Sequence, residues 1–290
     1  MLVSPITSLK IDGRDFYIKR DDLFDPYLSG NKYRKLHKLL QTPSHSLNTI
    51  ISYGGTQSNA MLAIAAMCQQ KGWQFLYYTK PLSSYQREHP NGNYALALSL
   101  GMEHKEIEYT LYKDFIASLR LNLDAKTYIV DQGGADKSAQ EGLDVLAQEI
   151  RMQKEQGEIP KEVLSLATPS GTGTTALYLA QTLPEYTVYT TPLIGDKEYL
   201  QTQMESLSPL PSNLIILESE KKYRFAKPYK EFYDIYTKLL HVGVEFDLLY
   251  APLMWQELLM QTKEPLLYIH SGGVSGNATM LERYNRMLQK

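Results

Sequence analysis

An α/β fold of two lobes with mostly parallel sheets is predicted by three observations. Short β-rich runs alternate with helix-period runs along the chain, glycine-rich turns fall where strands give way to helices, and a polar stretch ending in Gly and Pro breaks the alternation near its middle. Ligands in such folds gather where strand ends meet helix starts. With 290 residues and a hydrophobic share of 43%, the chain can bury a substantial core, and disorder is a poor reading of it.

The elements follow in order. Asp12-Gly13-Arg14 reads as a turn between extended pieces and Phe16 to Lys19 as a strand, while Leu36, Leu39 and Leu40 recur at helical spacing and put Lys32 near a helix start. Thr49 to Tyr53 is β-rich and ends at Gly54-Gly55. Thr56-Gln57-Ser58-Asn59 then turns and caps a helix from Ala60 to Gln70, which Gly72 stops. Strand Phe75 to Tyr78, helix Asn93 to Leu100, strand Tyr128 to Val130 and helix Ser138 to Gln153 continue the pattern. Beyond the linker Gln153 to Pro160, strands are expected at Val163 to Ala167, Tyr186 to Thr190, Leu214 to Leu217, Phe246 to Tyr250 and Leu266 to His270. Helices alternate with them at Thr174 to Leu183, Lys197 to Leu207 and Tyr229 to Leu240, through Leu259, and after Gly276. A lobe boundary is placed near that linker, giving one lobe of residues 1–40 and 154–290 and a smaller one of 41–153.

Charge and cysteine content narrow the function. A formal charge of −2 gives nothing that recruits nucleic acid or an anionic membrane, although Lys32, Arg34, Lys35 and Lys38 suggest a local basic cleft for a small anion. The lone Cys68 sits in an apolar helical run, and the six histidines are scattered, so neither a disulfide framework nor a metal site is expected. Residues 1–10 lack a basic segment followed by an apolar core, and no apolar run reaches membrane-spanning length; a cytoplasmic protein is the expectation.

Four segments carry chemistry-bearing residues at strand ends. Ser170-Gly171-Thr172-Gly173-Thr174 offers small residues, hydroxyls and helix-start amides, suited either to a phosphate or to a tight structural turn; it is neither a Walker A sequence nor the dinucleotide fingerprint. Gly54 to Asn59 can cradle a carboxylate, with Ser58 exchanging a proton and Asn59 donating to a phenolate-like oxygen, or can simply cap a helix. Gly133-Gly134 and His270 to Asn277 close two further strands. Lys32, behind the compact turn Ser29-Gly30-Asn31, is either a solvated helix-start lysine or, if desolvated beside other cations, an amine with lowered pKa able to form a Schiff base with an aldehyde cofactor.

Ser29 to Leu36, Gly54 to Asn59 and Asp247-Leu248-Leu249-Tyr250, with the glycine-rich loops at Ser170 to Thr174 and Gly272-Gly273 in the same order, resemble the 1-aminocyclopropane-1-carboxylate deaminase and D-cysteine desulfhydrase family over nearly the whole chain. The resemblance implies the fold of tryptophan synthase β-subunits, with a larger cofactor-binding lobe (1–40 and 154–290), a smaller substrate-side lobe (41–153) and pyridoxal 5′-phosphate as cofactor. It implies a Schiff-base lysine at Lys32, a catalytic or substrate-anchoring serine at Ser58, a cofactor O3′ contact at Asn59 and site tyrosines at Tyr229 (or Tyr223) and Tyr250. Gln57 joins the substrate contacts; Ser170, Gly171, Thr172, Gly173, Thr174 and Ser271 join the cofactor contacts. A cytoplasmic homodimer acting on a small amino acid, as lyase, deaminase or hydrolase, is the corresponding expectation.

The chain departs from the family where polar residues give way to Ala60-Met61, where Ala251 follows Tyr250, at Lys227-Pro228 before Tyr229, and at Ala135-Asp136 after the glycine pair. A methyl group at 251 cannot pair with a pyridine nitrogen. Without that support for the electron sink, β-elimination of a good leaving group, as from D-cysteine, is an easier assignment than opening an unactivated cyclopropane ring. Ring-opening deamination, serine or threonine dehydration, racemisation and cofactor binding without turnover are the alternatives.

Overall fold

The computed structural model describes residues 3–121 and 123–289. Among these, ten strands form two sheets. Strands β1 (Ile6–Ile11) and β2 (Arg14–Lys19) make an antiparallel hairpin around Asp12 and Gly13, the turn read from the sequence. Strands β3 (Thr49–Tyr53), β4 (Gln74–Thr79), β5 (Met102–Glu106) and β6 (Thr127–Ile129) form a parallel sheet in the order β5-β4-β3-β6. Strands β7 (Ser165–Ala167), β8 (Thr187–Thr190), β9 (Leu214–Ile216) and β10 (Leu266–Ile269) join the hairpin in the order β1-β2-β10-β7-β8-β9, and every pairing apart from the hairpin is parallel. The two-lobed, mostly parallel α/β expectation is met. No helix among the described residues is long and apolar enough to cross a membrane.

Burial explains which runs became strands. All four residues of β10 are buried, as a central parallel strand covered on both faces requires, and their sequence is unbroken Leu-Leu-Tyr-Ile. Strand β5 was not anticipated because Met-Glu-His-Lys-Glu carries almost no apolar period, and the short helices Ser84–Glu88 and Tyr112–Ser118 were missed too. Phe246 to Tyr250, expected as a strand, is irregular. The Asp247 carboxylate accepts from the amides of Leu249 (3.0 Å) and Tyr250 (2.6 Å), which turns the backbone away from any ladder.

Each sheet has its own core. The helix Asn59–Lys71 buries every residue from Ala60 to Cys68 against Ile50, Phe75, Tyr77 and Met102, and burial pushes the Cys68 thiol up to about 12. The helix Ala139–Glu155 packs Leu143, Leu146 and Ile150 with Val163, Leu166 and Leu267, so it lies in the core of the six-stranded sheet although it precedes the boundary expected at 154.

The helix Gly30–Lys35 joins the two bodies. Leu36 and Leu39, which follow it, pack in the four-stranded core, while Arg34 turns the other way into a buried charge network. Its Nε and Nη2 donate to Asp21 at 2.9 and 2.8 Å, and its Nη1 and Nη2 donate to Glu149 at 2.7 Å each. Lys19 Nζ lies 2.9 Å from Glu149, and Ser4 Oγ donates to Asp21 at 2.6 Å. Gly30 makes the closest approach: at φ 60°, its missing Cβ would stand 2.0 Å from the Ser271 carbonyl oxygen.

Removing the guanidinium strands two buried carboxylates, so Arg34→Ala is expected to lose about 3–5 kcal/mol in urea unfolding, with Arg34→Lys recovering little because an ammonium cannot fork to both. A loss below about 1 kcal/mol, the range of a surface pair, would remove the network from its structural role. Gly30→Ala combines a left-handed side chain with overpacking against backbone and is expected to cost at least about 2 kcal/mol, read as a lowered urea midpoint.

Candidate active site

Lys32 and Lys35 lie three positions apart on one helix and so share a face. Both amines donate to the carbonyl of Gly133, Lys32 Nζ at 3.2 Å and Lys35 Nζ at 3.3 Å. Burial lowers the Lys32 amine to about 8, and burial together with the neighbouring Lys32 charge takes Lys35 well below its ordinary value. The broader basic cluster expected from the sequence is not assembled. Arg34 is neutralised by Asp21 and Glu149, and exposed Lys38 faces Glu141 at 3.6 Å.

Gly133 also adjoins the glycine-rich loop, since a Cβ on it would lie 3.4 Å from Thr172 Cγ2. Within that loop, Gly173 takes φ 74° with its Cβ position 2.3 Å from Met204 Cγ, and Gly171 lies against Tyr250, whose Cε1 is 3.4 Å from the corresponding position. The helix Thr174–Thr182 begins there with no side chain capping it, which leaves first-turn amides directed at the loop. Thr172 and Thr174 share a 2.9 Å hydroxyl contact, and the buried hydroxyls of Thr168, Thr175 and Thr191 have no partner among the described residues. The Ser170 hydroxyl bonds Thr190 Oγ1 at 2.6 Å, tying the ends of β7 and β8 together.

On the other side of Lys32, a small cleft open to solvent is bounded by Ser29, Asn59, Ser271 and Gly273. Asn59 Oδ1 accepts from Asn93 Nδ2 at 2.8 Å, and a Cβ on Gly273 would fall 2.4 Å from Asn59 Nδ2. Ser58 caps its helix by accepting from Met61 N at 3.2 Å, the plainer of the two roles read for it. Gln57 is committed elsewhere, its Nε2 donating to Asn91 and its Oε1 accepting from Asn93 N. Ala60 and Met61, the two departures beside this turn, are buried in the core.

Tyr250 abuts the glycine-rich loop, and burial, with the Asp247 charge, pushes its phenol up to about 12. Tyr229 is placed differently: its hydroxyl accepts from Arg224 N at 3.0 Å and its ring meets Tyr223 and Phe232 edge-on. Tyr223 itself contacts Glu231 and Gln256. Ala251 is buried with Phe246, Trp255 and Tyr268. One residue of the site was not singled out from the sequence: Asn93, whose signal was the Asn-Gly-Asn entry to the helix Gly92–Ser99.

No family model matches the chain. It is 26% identical over 286 residues to a proposed 1-aminocyclopropane-1-carboxylate deaminase of Thermotoga maritima, covering 91% of this chain and 90% of that protein. It is 25% identical over 297 residues to a D-cysteine desulfhydrase of Yersinia enterocolitica, covering 90% and 87%. The crystal structure of an ACC deaminase homologue superimposes with a TM-score of 0.75 at 22% identity, covering 98% and 94%. Neither name supports a hydrolase label. Over nine tenths of its length the chain is thus similar to proteins named for the 1-aminocyclopropane-1-carboxylate deaminase and D-cysteine desulfhydrase activities, and it has the fold of an ACC deaminase homologue.

Proposed function

We propose that the protein is a pyridoxal-phosphate-dependent enzyme catalysing β-elimination on a small amino acid, with D-cysteine desulfhydration the favoured reaction. The observation that carries this reading is the convergence of two lysine amines on one carbonyl beside a glycine-rich helix start. An aldehyde with an anionic tail suits that donor set: an amine of lowered pKa for the carbonyl carbon, and a second lysine, amides and unpartnered hydroxyls for the phosphate.

Pyridoxal phosphate, when bound, supplies the aldehyde and a conjugated ring that accepts electrons from the substrate α-carbon. Lys32 holds the aldehyde and, once free of it, moves the proton at the α-carbon; an amine near pKa 8 is divided between base and acid forms at physiological pH. Lys35, the loop Gly171 to Thr174 and the amides after it restrain the phosphate. Asn59 donates to the ring oxygen, and the turn at Ser58 receives the substrate carboxylate. Tyr250, protonated at neutral pH, serves as a hydrogen-bond donor, with Tyr229 buttressing the aromatic wall behind it. For D-cysteine the Cα–H and Cβ–S bonds break, sulfide leaves, and water converts the remainder to pyruvate and ammonia. A cytoplasmic homodimer belongs to the same proposal.

Incubation with pyridoxal phosphate is expected to give a visible absorption band and, after borohydride, a mass increase on the peptide carrying Lys32; Lys32→Ala abolishes both. The fixable fraction rises with pH through a midpoint of about 8, because the neutral amine is the nucleophile. A midpoint near that of an ordinary lysine would contradict the buried-amine reading.

Reaction is then assayed with D-cysteine, L-cysteine, D-serine and 1-aminocyclopropane-1-carboxylate. A 2-oxo acid with ammonia, and sulfide from D-cysteine, is the expected result. Turnover of 1-aminocyclopropane-1-carboxylate alone would overturn the assignment, as would inverted handedness without ammonia or a visible band with no product.

A further inference from the structure

We propose that Asn93 is a positioning residue that decides which end of the Asn59 side chain faces Lys32, and that it ties this choice to the larger lobe through Ser275. The inference rests on the reading that Asn59 donates to the ring oxygen of pyridoxal phosphate.

Asn93 is fully buried. Its Nδ2 donates to Asn59 Oδ1 at 2.8 Å and to the Gln57 carbonyl at 3.2 Å, and its Oδ1 accepts from Ser275 Oγ at 3.0 Å. Both side-chain N–H bonds and the oxygen are therefore used. The consequence falls on Asn59. A donor facing it fixes its oxygen toward Asn93 and leaves its own NH₂ toward Gly273, in the cleft that Lys32 lines. An acceptor in the same place would turn Asn59 over and present an oxygen to the cleft, where the negative oxygen of the cofactor ring would be repelled.

Asn93 cannot drift from this position. Gly92, at φ 54°, starts the same helix with its Cβ position 2.4 Å from Gln57 Oε1 and 2.6 Å from Thr279 Cγ2, so the helix start is wedged between the Gln57 turn and the large-lobe helix Asn277–Leu288. Ser275 belongs to the segment after β10, whereas Asn93 and Asn59 belong to the smaller lobe. The Asn93–Ser275 bond thus forms only when the lobes are together, and the orientation of Asn59 is set in that arrangement.

The test compares wild type, Asn93→Asp, Ser275→Ala and Asn59→Ala, titrated with pyridoxal phosphate. Read for each are its affinity, the pH midpoint of the visible band and thermal melting without cofactor. Wild-type uptake with fixation on Lys32 checks the underlying reading on its own; no uptake sinks that reading and the inference with it. Asn93→Asp keeps the shape but reverses the donor, and is expected to bind about tenfold more weakly, the scale of one hydrogen bond to a charged group, and to raise the band's pH midpoint. Ser275→Ala should move the midpoint in the same direction by less. In an Asn59→Ala background, Asn93→Asp should change nothing further. A wild-type midpoint in Asn93→Asp, or an equal effect with Asn59 absent, overturns the proposal. If Asn93→Asp does not fold, Ser275→Ala decides alone, and an unchanged midpoint there overturns it.

Discussion

The site depends on one buried guanidinium. Arg34 is held by two carboxylates, Asp21 before its helix and Glu149 far along the chain, with Lys19 balancing the second negative charge. Buried charges are costly unless paired and hydrogen-bonded, so this cluster leaves the short helix Gly30–Lys35 few ways to sit. Six residues would not hold a helical turn in water by propensity alone. Tertiary bonds fix it, and the residues on its other face inherit their positions.

Helical phase then divides the work among neighbouring cations. Positions 32 and 35 fall on one side, and position 34 on the opposite side. Arg34 faces carboxylates and keeps its charge at every accessible pH. Lys32 and Lys35 face a single carbonyl, which cannot compensate two ammonium groups, and burial drives both pKa values down. With no anion facing it, the Lys32 amine keeps its lowered pKa, the property the proposed chemistry needs.

What the sequence revealed was the local part. The glycine-rich turns and the strand-to-helix junctions were legible because each depends on a few adjacent residues: Gly133, Gly173 and Gly273 all take positive φ where a turn was read. The partners of Arg34 were not, because Asp21 and Glu149 approach it only through the fold. The partners of Asn93 were hidden for the same reason, since its bonds reach Gln57, Asn59 and Ser275. The strand expected at Phe246 to Tyr250 failed differently. Its apolar residues do bury, but Asp247 bonds the amides that a ladder would need, and polar side-chain chemistry overrode the hydrophobic pattern.

That same aspartate bears on the chemistry. If a carboxylate were to support the ring nitrogen of a bound cofactor, Asp247 would be a natural substitute for the one missing at Ala251. Its Oδ1 is instead taken by two backbone amides, and burial pushes the carboxyl up to about 6. Ala251 itself is sealed among Phe246, Trp255 and Tyr268. Ala251 carries no charge and the Asp247 carboxylate is engaged by the backbone, so the proposed electron sink is expected to have less help from the protein than a strained, unactivated ring demands. Elimination of a group that leaves readily asks least of such a sink, which is why a sulfur substrate is the one proposed.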